Sequence, residues 1–293
     1  MSVSATHPWS TLNIPIDHKA AVEGSHICIH SNVFFRSKSE FNDLSQLWWR
    51  LYHAGFNFFS VPANNQNNCA MEHFVQTLPR DKVVIQMEYD GYHYDEDGHP
   101  ESGDPDVPRN ELTQKLGQCR AVGFVDIFLV RGPLDHPETF SQLAAGLARC
   151  VGDGLADSVG VSNFQDPGHV QQLYDALNQE GVQLSTFQGD LNNFRRRQPR
   201  CQRDGRVIFQ SIAQSSGNRT ELRGHLGRGQ TFHALCRIAN RRQVSALTVA
   251  LNYMVVKGFV PVVDVRTDDE VEQVIEATGW RLSQREIEEI DRA

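Results

Sequence analysis

From about residue 26 onward, short apolar runs alternate with longer amphipathic segments, and few architectures accept that order. The strand-like runs are Ile27–His30, Phe56–Ser60, Val83–Glu88, Val125–Arg131, Ser158–Val161, Val182–Gln188, Val207–Ser211 and Val260–Val263. Helical patterns fall on Glu40–His53, Cys69–Leu78, Arg109–Val122, Pro137–Val151, Gly168–Glu180 and Phe232–Lys257, the last in two pieces. Two more cover Asp268–Thr278 and Ser283–Ile290, whereas the link between the sixth and seventh strands reads as irregular. Strands separated by helices pair in parallel through crossovers. Eight such units predict an α/β chain closed into a (β/α)8 TIM barrel. Leu12–Ile16 and Ala20–Val22 flank a turn and predict an N-terminal β-hairpin covering one end. No repeat or linker interrupts residues 1–293, so the chain reads as a single domain.

Composition narrows the partners. A net charge of -8 disfavours a nucleic-acid partner, which needs a basic face. Cys28, Cys69, Cys119, Cys150, Cys201 and Cys236 are scattered without a C-x-x-C pair or zinc spacing, the pattern of buried intracellular thiols. His93 and His99 sit among carboxylates at irregular spacing, so no metal site is expected. Met1–Ser4 opens no basic-then-apolar leader, and no apolar stretch approaches the roughly 18 residues of a membrane span. The expectation is a cytoplasmic protein with a small-molecule substrate and no membrane partner.

Two charged loops follow strands and so belong on the rim where barrels keep their active sites. Residues 90–107 carry Asp90, Asp95, Glu96, Asp97, Glu101, Asp104 and Asp106, and residues 193–205 carry Arg195, Arg196, Arg197, Arg200 and Arg203. Both read first as solvated surface. Opposite charge also suits a latch across the mouth or a protein partner. Tyr89, Tyr92, His93 and Tyr94 open the acidic loop as ordinary surface or as an aromatic wall.

Asp126–Val130, a helix, and then Ser158-Val159-Gly160-Val161-Ser162-Asn163-Phe164 resemble the fourth and fifth strands of the aldo-keto reductases, with their G-V-S-N-F motif. Pro261–Thr267 followed by Glu270-Val271-Glu272 resembles the family's last strand and cofactor-gripping helix, and Gly55–Phe59 resembles the strand that ends in Asp-Thr-Ala. The resemblance spans residues 26–291 and implies a barrel of the aldo-keto reductase type. It also implies carbonyl reduction by NADPH through an aspartate, a tyrosine, a lysine and a histidine.

Each of those positions departs from the family pattern. The aspartate is Ser60, the Tyr-Gly pair reads Asn65-Gln66, the lysine is Glu88 and the histidine is Arg131. Asparagine has no proton to give, a carboxylate raises the pKa of a nearby acid, and arginine stays charged. The cofactor positions are partly kept. Ser162, Asn163 and Gln188 match residues that hold the nicotinamide amide, Arg266 matches one that meets the adenosine 2′-phosphate, and Ser215–Asn218 suits a phosphate loop. Against these stand Gln210 for the stacking tyrosine, Asp264 for a glycine near the phosphates and Val274 for the helix asparagine. The expectation is no cofactor, with NADPH as the alternative.

All strands of such a barrel aim their carboxyl ends at one pocket. Here those ends offer His30, Ser60, Glu88, Arg131, Asn163, Gln188, Asp190, Gln210 and Asp264. His30, Glu88 and Arg131 are the candidate catalytic residues: an imidazole base, a carboxylate that orients it or holds its charge, and a guanidinium for a carboxylate or enolate oxygen. Ser60, Asn65, Tyr89, Asn163, Gln188, Asp190 and Gln210 are the candidate substrate-binding residues. Three functions stay open. They are a redox-neutral isomerase, dehydratase or cyclase acting on a carbonyl compound, a divergent NADPH-dependent oxidoreductase, and a non-catalytic binding protein of the kind the potassium-channel β subunits represent in this fold. Two structural alternatives also remain: Glu88 and Arg131 as an ion pair, and His30 as a hydrogen-bonded core residue.

Overall fold

The computed structural model describes residues 12–14, 22–30, 38–61, 68–90, 104–132, 137–164, 166–189, 207–215, 222–223 and 229–293. The elements follow in the order β1 (Leu12–Ile14), β2 (Val22–Gly24), β3 (Cys28–His30), α1 (Lys38–His53), β4 (Phe58–Val61), α2 (Asn68–Val75), β5 (Val84–Asp90) and α3 (Val107–Gln118). Next come β6 (Ile127–Arg131), α4 (Phe140–Gly152), β7 (Val159–Ser162), α5 (Pro167–Gln179) and β8 (Leu184–Gly189). The chain continues through β9 (Ile208–Ser215), β10 (Leu222–Arg223), α6 (Gly229–Arg242), α7 (Ala246–Val256), β11 (Val260–Asp264), α8 (Asp268–Glu276) and α9 (Gln284–Asp291).

Strands β3, β4, β5, β6, β7, β8, β9 and β11 pair in that order, all parallel, and β11 returns to β3 to close the barrel. The predicted hairpin is present as β1 and β2, paired antiparallel from Leu12 opposite Gly24 to Ile14 opposite Val22. One pairing is unexpected: β9 runs four residues past the predicted Ser211, and its end pairs antiparallel with β10, Ser215 opposite Leu222. Ser215 thus lies in a two-stranded ribbon; residues 216–221 are outside the described residues.

Alternation along each strand sorts the core into two shells. Cys28, Phe58, Val84, Ile127, Ile208, Val260 and Val262 fill the lower lumen as a plug. The strand residues of opposite parity, among them Ile29, Phe59, Ile85, Met87, Phe128 and Val161, face outward and pack under the helices. Trp48 of α1 is fully buried in that outer shell, its ring 6.1 Å from Phe59 and 5.7 Å from Phe74. Inside the wall, Gly160 is a steric necessity: a Cβ there would stand 2.7 Å from Leu129 Cδ1 and 2.9 Å from Thr186 Cβ.

The end of the barrel opposite the mouth is pinned by one buried pair. Arg80 Nη2 donates to Asp126 Oδ2 at 2.8 Å, while the rest of the guanidinium donates to the carbonyls of Val83, Val122 and Phe124. Asp126 also accepts from the Ile85 amide at 2.7 Å, which explains why an aspartate leads the fourth barrel strand. Burial pushes the Asp126 carboxyl above its ordinary range, opposed by the Arg80 charge and the Ile85 amide. Among the described residues Cys28, Cys119, Cys150 and Cys236 form no disulfide, and burial pushes Cys150 up to about 12. No helix among the described residues is long and apolar enough to cross a membrane.

Arg80→Met leaves the Asp126 carboxylate in the protein interior without its cation. Urea unfolding is expected to show a loss of about 3–5 kcal/mol; a change below about 1 kcal/mol would mean that the pair does not hold this end of the barrel.

Candidate active site

The carboxyl ends of β3, β4, β5, β6, β7, β8, β9 and β11 set the mouth. His30 on β3 lies in register with Ser60 on one side and Asp264 on the other. Ser60 is in register with Gln86 of β5. Because alternate residues face the lumen, Gln86, Glu88 and Asp90 share the inner face of β5, with Leu129 and Arg131 on that of β6.

A buried amide ladder crosses the lumen beneath the mouth. Gln188 Nε2 donates to Gln210 Oε1 at 3.2 Å, Gln210 Nε2 donates to Gln86 Oε1 at 2.8 Å, and Gln86 Nε2 donates to Ser60 Oγ at 3.0 Å. All four side chains are buried. Gln210 and Gln86 each accept on one side and donate on the other, so the ladder runs in one direction from Gln188 to Ser60 and forms a polar floor above the apolar plug. Gln86 was not singled out by its sequence, although a glutamine at an inward position of an apolar strand was the available signal. Gln188, Gln210 and Ser60, expected to bind ligand, are tied to one another in this floor.

The fifth-strand motif is also committed. Asn163 adopts φ of 57°, a left-handed conformation that asparagine tolerates. Its Nδ2 donates to the Gly132 carbonyl at 2.8 Å and its amide to the Gln188 carbonyl at 3.1 Å, which joins the ends of β6, β7 and β8. Together with the steric demand at Gly160, this gives the motif a structural role that needs no cofactor. Ser162 is different: its hydroxyl is buried without a hydrogen-bond partner among the described residues.

Three ionisable side chains remain uncommitted. His30 is half-buried, and its Nδ1 is buried with no partner among the described residues. Glu88 is 7% exposed, and no hydrogen bond or ion pair to it occurs among the described residues. Lys115 of α3 lies within electrostatic reach of Glu88 and Asp90 from the helix side; burial pulls its ammonium below the ordinary pKa, against the charges of Glu111, Asp90 and Glu88. Arg131 is exposed at the rim. No ion pair joins Glu88 to Arg131 among the described residues. Register sets Glu88 opposite Leu129 and Arg131 opposite Asp90 and Ser162, and no ion pair joins Arg131 to either carboxylate.

Tyr89 requires a correction. It follows the inward Glu88, so it points outward, fully buried in the helix-facing shell with its ring 5.7 Å from Phe128. It cannot touch a ligand in the mouth. Asn65 and Asp190 are outside the described residues, as are Tyr92, His93, Tyr94 and both charged segments over 91–103 and 190–206. Among the described residues no group of three or more His, Cys, Asp or Glu side chains gathers as a metal site.

At the remaining edge, Asp264 ends β11 and accepts from Arg266, both from Nε at 3.0 Å and from Nη2. The amides of Arg266 and Thr267 donate to Glu270 Oε2 at 2.8 and 3.1 Å. Of these, Arg266 is the residue that the family resemblance matches to the adenosine 2′-phosphate, and Asp264 stands where it places a glycine near the phosphates. In this chain Arg266 and the two amides hold its own carboxylates, a poor fit to a phosphorylated dinucleotide.

Comparison with known proteins supports the fold along the whole chain and the family over part of it. Residues 209–293 match the model of the Aldo/keto reductase family. A thermostable aldo-keto reductase, Tm1743, solved with the inhibitor epalrestat, superposes with TM-score 0.76 at 15% identity, over 96% of this chain and 99% of that one. The glycerol dehydrogenase AKR11B4 from Gluconobacter oxydans gives 0.75 at 16% identity, over 97% and 94% of the two chains. An aldo/keto reductase from Klebsiella pneumoniae in complex with NADP and acetate gives 0.74 at 15% identity, over 96% and 94%. No curated protein matches the sequence.

Gln210→Leu keeps the volume of the floor but strands the Gln86 carbonyl and the Gln188 amide inside the barrel. Each orphaned group costs about 1–3 kcal/mol, so urea unfolding is expected to show a loss of about 2–4 kcal/mol. A change under about 1 kcal/mol would mean that water or local repacking replaces the ladder.

Proposed function

We propose, from the premise that residues 209–293 match the aldo/keto reductase family model and that the chain has the barrel of such proteins, that the mouth carries out redox-neutral proton chemistry on a small carbonyl compound. The observation that carries this reading is the set of uncommitted ionisable groups: His30 with an unpartnered buried Nδ1, Glu88 without a hydrogen bond and Arg131 without a counterion, all among the described residues. An orphaned buried polar group costs about 1–3 kcal/mol, and such groups gathered at the catalytic end of a barrel are what a ligand would satisfy.

His30 takes a proton from the carbon next to the substrate carbonyl, and the electron pair moves onto the carbonyl oxygen. Arg131 holds that enolate oxygen, or a substrate carboxylate beside it. Glu88 stabilises the imidazolium that results. The proton then returns from His30 to a different carbon, completing an isomerisation, or to a departing β-hydroxyl, which leaves as water. No electron is gained or lost by the protein in either route. The dinucleotide has no part in these steps. The likeness to a barrel solved with NADP favours the competing reading, a divergent oxidoreductase, and Ser162 and Asn163 are its retained residues.

The test uses a set of 2-keto acids, β-hydroxy ketones and hydroxyaldehydes in D2O without NADPH, with deuterium incorporation followed by mass spectrometry. The wild-type protein is expected to exchange protons next to the carbonyl in at least one class. His30→Ala and Glu88→Gln should each slow exchange by about 10²–10⁴-fold, and Arg131→Gln should raise KM for the acids more than for the neutral compounds. Exchange that survives His30→Ala unchanged, or no exchange with any class, would contradict the proposal.

A further inference from the structure

The end of β11 and the first turn of α8 bring together a guanidinium and free-running backbone amides, the ordinary chemistry of a phosphate site. Each donor set is already matched to an anion from the chain itself. Arg266 bonds one oxygen of Asp264 through two nitrogens, and Asp264 is 6% exposed against 54% for Arg266. Glu270 takes the amides of Arg266 and Thr267. Asp268, Asp269 and Glu270 fill the first turn of α8, so the positive end of its dipole faces three carboxylates. Arg50 of α1 is bonded to Asp268 and Glu272, which commits the neighbouring cation as well.

Glu270 has an ordinary explanation, since Thr267 and Glu270 form a capping box that any helix can use. Asp264 has none of that kind. It ends a barrel strand where the family resemblance places a glycine, its carboxylate is buried beside the mouth, and it is in register with His30. An intramolecular carboxylate also competes at a high effective concentration, which a free phosphate must outbid in the same place.

We propose that Asp264 is a built-in substitute for a nucleotide phosphate: it holds Arg266 and closes this end of the mouth to NADPH and related phosphorylated nucleotides. An incoming phosphate meets a like charge at close range and finds the guanidinium already engaged. Asp264 is therefore a specificity-determining residue, acting by exclusion, and it reserves the mouth for ligands without a nucleotide tail. Its role does not depend on which residue moves a proton, so this proposal and the proton chemistry stand or fall on separate measurements.

Calorimetric titration with 2′,5′-adenosine diphosphate reads the effect directly, with the full chain and no carbonyl compound present. The wild-type protein is expected to bind weakly or not at all at 1 mM probe, on the order of the weakest useful affinities. Asp264→Asn, which keeps the shape and removes the charge, should bind at least about tenfold more tightly. The gain should vanish in Asp264→Asn/Arg266→Gln. Arg266→Ala, at an exposed position, should leave the wild-type affinity within about twofold, and that arm decides the matter if the Asp264 variants fail to fold. Micromolar binding by the wild type that Arg266→Ala abolishes would overturn the proposal. So would an Asp264→Asn variant that gains nothing, or a gain that persists without Arg266.

Discussion

Closing eight parallel strands into a barrel fixes which side of every strand faces the lumen, and the rest of the molecule depends on that constraint. An interior cut off from water has to be filled, and any polar group placed there has to be paired. This chain meets the first demand with an apolar plug from Cys28 to Val262. It meets the second one layer higher with the ladder from Gln188 through Gln210 and Gln86 to Ser60. The same alternation brings His30, Glu88 and Arg131 to the rim above the ladder. At the other end of the barrel, Arg80 and Asp126 pin the strands from below.

The mouth is consequently divided. On the side of β7, β8, β9 and β11, polar groups are tied to one another: Asn163 to Gly132, Gln188 to Gln210, Arg266 to Asp264. On the side of β3, β5 and β6, the imidazole, the carboxylate and the guanidinium have no such partners among the described residues. Self-satisfied groups resist a ligand because a ligand must first break their bonds, whereas orphaned groups gain by binding one. Ser162 on β7 is the exception on the first side, since its hydroxyl is buried without a partner among the described residues.

Much of this was legible in the sequence, because strand and helix periods differ and each barrel strand carried its own apolar run. The eight barrel strands lie where the apolar runs placed them, and the amino-terminal hairpin is there too. What the sequence left hidden depends on register, which no single segment encodes. Glu88 and Arg131 end neighbouring strands, yet the offset of β5 against β6 sets Leu129 opposite Glu88 and Asp90 opposite Arg131. The bond between Gln210 and Gln86 joins residues 124 positions apart and becomes visible only once the barrel is closed. Tyr89 is a different case: strand alternation turns it outward wherever Glu88 faces inward, although it stands next to an acidic loop in the sequence. The β9 extension that pairs with β10 was hidden by the polar residues Gln214 and Ser215, which carry no apolar signal.

The proton transfer proposed for this barrel contrasts with the reductase and dehydrogenase activities named for the structures that share its fold. NADPH deuterated at its transferable position, mixed with the protein and a panel of aldehydes and ketones, separates the two most directly by mass spectrometry of the products. Proton chemistry at the mouth puts no deuterium from the cofactor in any product and consumes no NADPH above the protein-free rate. Deuterium delivered from NADPH to a carbonyl carbon at a catalytic rate would contradict it, and would make Ser162 and Asn163 part of a working reductase.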